Sequence, residues 1–300
     1  MAAPDTPTPP AATPAGAPLA GLAWMVLTGL CFVAVTAVVK HAAQDLPAAQ
    51  AAFLRYLLGL VFLVPVWARL RATPVPRGDL ALFAGRGLAH ALAVILWFHA
   101  MTRLPVAEVT AMNYLAPVYV SLGAVLLLGE RMTWARAGAV VAALVGALVV
   151  LRPGLRAIES GHVAMLATAA LFGASYLMAK RLSGRFGAET VVAWLSIWVT
   201  LGLAPFAALD WVRPTGADLG WMFLVAAFAT AGHYAMTRAF AAAPVTVTQP
   251  ATFLQLVWAV LLGWALFDEP PDGWVMLGGG IIVAAVCAVA WREARGRAAH

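Results

Sequence analysis

This sequence predicts an all-α integral membrane protein of ten transmembrane helices, arranged as two inverted five-helix repeats around a central cavity. Three observations carry that reading. Of the 300 residues, 63% are hydrophobic and only 11% charged, where a soluble domain carries roughly a quarter charged residues. Ten apolar stretches follow one another with short loops between them, each near the ~20 residues that a helix needs to cross a ~30 Å hydrocarbon core. The fourth stretch also aligns with the ninth without a gap. A register shift of 139 sets Pro105-Val106 on Pro244-Val245, Leu115 on Leu254, Val118 on Val257, Leu122 on Leu261, Leu127 on Leu266 and Glu130 on Glu269. Five crossings are an odd number, so the second copy enters the membrane from the opposite face, the sequence sign of an alternating-access carrier.

The elements follow in order. Residues 1–18 are rich in Pro, Ala and Thr and hold no Lys or Arg. They predict a disordered tail rather than a cleaved signal peptide. The first repeat (19–152) contains spans at 20–39, 50–68, 80–101, 105–128 and 133–151. The second (153–292) contains spans at 161–180, 188–209, 218–240, 244–267 and 273–291, before a basic tail at 293–300. Polar groups are costly in hydrocarbon, so those inside spans are expected to face the interior or water. Arg55, near the start of span two, is expected to snorkel to the nearby interface. On span three, Arg86, His90 and Trp97 share one helical face. Span four carries Thr110, Asn113, Tyr114, Pro117 and Ser121; its Glu108 lies near the end. Span six adds Ser175 and Tyr176, span eight His233, and span nine Thr252, Gln255 and Trp258. Pro117 and Pro250 interrupt the paired helices and are the candidate hinges or gates. Spans five and ten are nearly free of polar groups. They present small-residue ridges instead, Gly138-Ala142-Gly146 and Gly280-Ala284-Ala288, suited to joining the halves or forming a homodimer.

Basic residues set the orientation. Twelve Lys or Arg fall on the side of both termini and five on the other, with Arg55 and Arg86 inside spans. That split predicts cytoplasmic termini in a bacterial-type inner membrane. Cys31 and Cys287 both sit in apolar segments and form no disulfide framework.

Ten helices in two halves, with Gly129-Glu130-Arg131 closing span four and Asp268-Glu269 closing span nine, resemble the EamA-type exporters of the drug/metabolite transporter superfamily, most of all the bacterial amino-acid exporters. The resemblance covers nearly all of the chain after the tail. It implies that spans one, three, four, six, eight and nine surround the cavity while five and ten pack outside. Pro270-Pro271 in place of Arg131-Met132 departs from the repeat, which separates the arginine from any shared role while leaving Glu130 and Glu269 as structural groups at helix ends.

No intramembrane catalytic motif and no Cys/His cluster with metal-ligand spacing occurs, so no enzyme activity, cofactor or metal is expected. The function expected is export of amino acids, aromatic or otherwise neutral, or of similar small metabolites. Multidrug, nucleotide-sugar or lipid carriage on the same fold is the alternative, and an intramembrane enzyme a remote one. The partners expected are a small-molecule substrate and the lipid bilayer, with no nucleic acid.

Overall fold

A backbone in lipid must satisfy its own hydrogen bonds, and this chain does so with helices. The computed structural model describes residues 18–42, 45–72, 74–128, 132–155, 157–183, 185–242 and 254–298. Among them are twelve α-helices and no β-strand. In chain order they are α1 (Pro18–Ala42), α2 (Ala48–Gly59), α3 (Trp67–Ala72), α4 (Arg77–Met101), α5 (Val106–Asn113) and α6 (Ala116–Leu128). Then come α7 (Trp134–Leu151), α8 (Ser160–Ser183), α9 (Ala188–Leu209), α10 (Gly216–Ala242), α11 (Leu254–Phe267) and α12 (Gly273–Ala298). A 3-10 segment, Leu60–Val66, joins α2 to α3.

Among the described residues, six segments are long and apolar enough to cross a membrane: Leu19–Ala42, Ala48–Pro65, Arg77–Met101, Ser160–Ala179, Thr190–Leu209 and Gly216–Met236. Apolar stretches among the described residues of α7, α11 and α12 are Ala137–Leu151, Leu254–Phe267 and Gly273–Ala285. The expected fourth span is not one helix. It breaks between α5 and α6, where Tyr114 and Leu115 bond the carbonyls of Ala111 and Met112 three residues back. Pro117 has no N–H to give the Asn113 carbonyl, so the α-helical ladder cannot run through this point. Span nine is described only from Leu254, so Thr248, Pro250 and Thr252 lie outside the described residues, as does Glu130.

The long helices pair. α1 packs along α10, α4 along α8 and along α9, α2 along α9, and α6 against α8. α7 packs along α12 at backbone distance. A Cβ on Gly146 would meet the Gly278 carbonyl oxygen at 2.6 Å, and one on Gly278 would meet the Gly146 oxygen at 2.5 Å. The close contact therefore uses Gly278 and Ile282 rather than the Gly280-Ala284-Ala288 ridge, which faces outward. Sequence pattern finds small residues; only packing tells which face of an Ala-rich helix is used.

Gln50, fully buried, ties α2 to the loop before α10. Its amide donates to the Val212 carbonyl at 2.5 Å and accepts from the Val212 N–H at 2.9 Å. The orientation read from the basic residues is checked by labelling. Single cysteines in the 70–78 and 181–187 loops are expected to be shielded from impermeant thiol reagents in intact cells, and those at 153–160 to react. Equal labelling of both sets would overturn the topology.

Candidate functional site

Seven helices, α1, α2, α4, α5, α8, α10 and α11, meet around a cavity of about 230 Å³. Helical periodicity delivers its lining in stripes. α1 gives Phe32, Val35 and Thr36; α4 gives His90, Val94 and Trp97; α5 gives Val109, Thr110 and Asn113. α2 adds Arg55 and Tyr56, α8 adds Phe172 and Tyr176, α10 adds Ala229 and His233, and α11 adds Gln255. No helix of the α7–α12 pair takes part. No Asp or Glu lines the cavity among the described residues.

His90 is the best-anchored of these groups. Its Nε2 lies 3.1 Å from the Tyr56 hydroxyl on α2 and its Nδ1 3.2 Å from the Ser175 hydroxyl on α8. The Phe172 ring rests against it at 4.8 Å between centroids. A hydroxyl donates or accepts as required, so either tautomer of the imidazole is satisfied and the ring is held across three helices. Ser175 is fully buried; it supports His90 rather than lining the cavity.

Arg55 departs from expectation. It faces the cavity, its guanidinium lying over the Tyr56 ring at 4.1 Å. The Asn113 side-chain oxygen is buried with no hydrogen-bond partner among the described residues, an acceptor open to a ligand. His233 stacks edge-on against Phe32 at 5.1 Å.

The other candidates lie elsewhere. Arg86 turns to α9 and donates to the Val191 carbonyl at 2.9 Å. Tyr114 packs on the core at the α5–α6 break. Trp258 packs beside Val33, Val106 and Ala259. Pro117 falls in the first turn of α6, at the break.

Toward Lys40 the cavity lining is followed by charged groups. The Glu269 carboxylate accepts the Val106 N–H at 2.9 Å, capping the first turn of α5, and pairs with Lys40 at 2.6 Å. Lys40 also donates to the Leu104 carbonyl at 2.7 Å. A carboxylate at a helix N-terminus is favoured by the unpaired N–H groups and the dipole. Lys40 stands one turn beyond Thr36 on α1, and Val106 one turn before Thr110 on α5. The ion pair therefore sits directly over the lining. Close by, buried Glu108 accepts from His162 Nε2 at 2.9 Å, the His162 Nδ1 being occupied as acceptor from the Glu159 N–H at 3.0 Å.

At the same end Asp272 pairs with Arg152 at 2.5 Å and caps α12 through the Trp274 N–H at 2.8 Å. Burial acts to raise the Asp272 pKa, but the Arg152 hydrogen bond and the backbone N–H groups outweigh it and hold the carboxyl below its ordinary value. A lowered pKa means that this contact stabilises at neutral pH and is lost as pH falls through the carboxylate range.

Two stretches, residues 19–152 and 159–291, match the EamA-like transporter family. The chain belongs to that family. This EamA-like transporter is similar to a riboflavin transporter of Rhizobium johnstonii, 34% identical over 92% of each chain. It is similar also to a riboflavin transporter of Vibrio cholerae, 30% identical over 93% of this chain and 96% of that one. The pseudopaline exporter CntI of Pseudomonas aeruginosa is 27% identical over 90% of this chain and 95% of that protein. A crystal structure at 19% identity superposes with a TM-score of 0.60, over 93% of this chain and 97% of that one, and so shares the fold. The protein is a multi-pass membrane transporter of small molecules.

Proposed function

We propose that this transporter carries planar, polar aromatic metabolites of the flavin class by alternating access, its two five-helix halves (19–152 and 153–292) rocking about the cavity. One observation carries the reading. Five aromatic rings (Phe32, Tyr56, Trp97, Phe172 and Tyr176) wall the cavity, with His90, His233, Asn113 and Gln255 set between them. Faces of this kind stack a fused ring, and edge groups of this kind pair with ring carbonyls and imide N–H groups. The two riboflavin transporters among the relatives support it. The rocking of halves is supported by the helix pairs. Exchanging each span for its repeat mate turns the α1–α10 pair into α8–α4, the α2–α10 pair into α9–α4, and the α1–α11 pair into α8–α6, all of which are packed. The outward ridge of α12 is where a homodimer would form.

Export of aromatic amino acids is the second reading, and the size of the cavity favours it. About 230 Å³ is below the ~300–1,000 Å³ of ordinary ligand pockets, room for one ring system rather than a whole large metabolite. Proteoliposomes loaded in parallel with labelled riboflavin and labelled phenylalanine and tryptophan decide between the two. Saturable riboflavin flux, competed by excess flavin and not by the amino acids, is the expected result. Amino-acid flux without riboflavin flux would replace the first reading by the second.

Flux is expected to follow the substrate gradient alone. Proton-driven carriers need a group that changes charge in the membrane, yet no carboxylate lines this cavity among the described residues, and His90 is bonded at both nitrogens. Accumulation above equilibrium under an imposed pH gradient would overturn this. Its loss in Glu108→Gln would then place the coupling at the Glu108–His162 pair.

A further inference from the structure

We infer that Arg55 is the charge-selecting residue of the cavity: its guanidinium donates to the carbonyl- or anion-bearing edge of the substrate and turns cations away. The inference rests on the reading of the cavity as the transport site. An aromatic-walled pocket left to itself attracts cations, because ring faces carry negative potential. Here that position is already filled, with Arg55 lying 4.1 Å over the Tyr56 ring.

Charge balance strengthens the point. No Asp or Glu lines the cavity and no carboxylate pairs with Arg55 among the described residues. Arg86 does not share the task, since it bonds the Val191 carbonyl behind the cavity. Arg55 is thus the fixed positive charge among the described residues of the lining. A charged group in hydrocarbon is costly unless something answers it. The ring of Tyr56 answers only the flat face of the guanidinium. Its N–H donors lie along the edge, where a substrate oxygen or anion can accept them in the planar geometry that arginine imposes.

The test measures initial uptake into proteoliposomes of wild type, Arg55→Lys, Arg55→Gln and Arg55→Glu. The probes are labelled riboflavin, tryptophan and methyl viologen, the last a flat heteroaromatic cation. Wild type should carry riboflavin and exclude methyl viologen. Arg55→Gln should raise KM for riboflavin roughly 10- to 100-fold, the loss expected of a hydrogen bond from a charged donor, with little change in maximal rate. Arg55→Lys should recover part of the affinity. Arg55→Glu should admit methyl viologen, and size-exclusion profiles in detergent should match wild type for every variant. Wild-type uptake of methyl viologen, or an unchanged KM in Arg55→Gln, would overturn the proposal. If tryptophan moves and riboflavin does not, the flavin reading fails by itself. The Arg55 proposal is then judged on the tryptophan KM and on cation exclusion.

Discussion

His90→Ala is expected to lower transport at least tenfold while leaving the protein folded and in the membrane. His90 is the point at which α2, α4 and α8 are joined by side-chain bonds, through Tyr56 and Ser175. Removing the ring opens space inside the cavity and strands the fully buried Ser175 hydroxyl, a cost of about 1–3 kcal/mol. It also frees the Tyr56 ring that carries Arg55. Most of the penalty falls on the geometry of the cavity, because Phe98, Leu115 and Met165 keep the core beside it packed. His90→Gln retains a donor and an acceptor and should recover part of the rate. Initial rates in proteoliposomes, normalised to reconstituted protein, give the answer; normal transport by His90→Ala would refute a cavity role for this residue. Trp97→Ala should lower the rate similarly by removing one aromatic wall.

The second large effect is expected at the Lys40–Glu269 pair. It ties the end of α1 and the start of α5 to the loop after α11, so it joins the first repeat to the second. Both side chains are largely buried, 17% and 15% exposed. Glu269→Gln removes the carboxylate charge that Lys40 and the Val106 N–H share; breaking such a pair costs ~3–5 kcal/mol where it is fully buried and proportionately less here. A shift of even ~1.4 kcal/mol is tenfold in an equilibrium. Glu269→Gln is therefore expected to open that end of the cavity. Thr110→Cys, in a background with Cys31 and Cys287 replaced by alanine, should react about tenfold faster with an impermeant thiol reagent applied from outside when Glu269→Gln is added. An unchanged rate would show that the pair does not hold the end shut.

Much of this was legible in the sequence. Length and apolarity marked the long helices, and polar residues standing in apolar spans marked His90, Asn113, Tyr176, His233 and Gln255, all of which line the cavity. Other members left no such mark. Phe32 and Phe172 look like any core aromatic until their neighbours are known. Arg55 looked like a snorkelling residue because its depth can be counted along the chain, while the direction it faces cannot. Tyr56 drew no notice because its significance lies in His90, on another helix. Glu269 was visible through the repeat, but its partner Lys40 is distant in sequence and belongs to the other half. Arg86 shows the opposite failure. Sharing a helical face with His90 did not take it to the cavity, since a long side chain reaches along its helix to whichever carbonyl is nearest.

The glycine contact between α7 and α12 reaches into the lipid itself. α7, Trp134–Leu151, rises about 27 Å at 1.5 Å per residue, close to the ~30 Å of a hydrocarbon core. A free helix can tilt or sink toward one leaflet to suit the bilayer around it. Joined to α12 by touching backbones, α7 can do so only together with its partner. On that flank the acyl chains meet two helices as one unit, and a change in bilayer thickness acts on both at once.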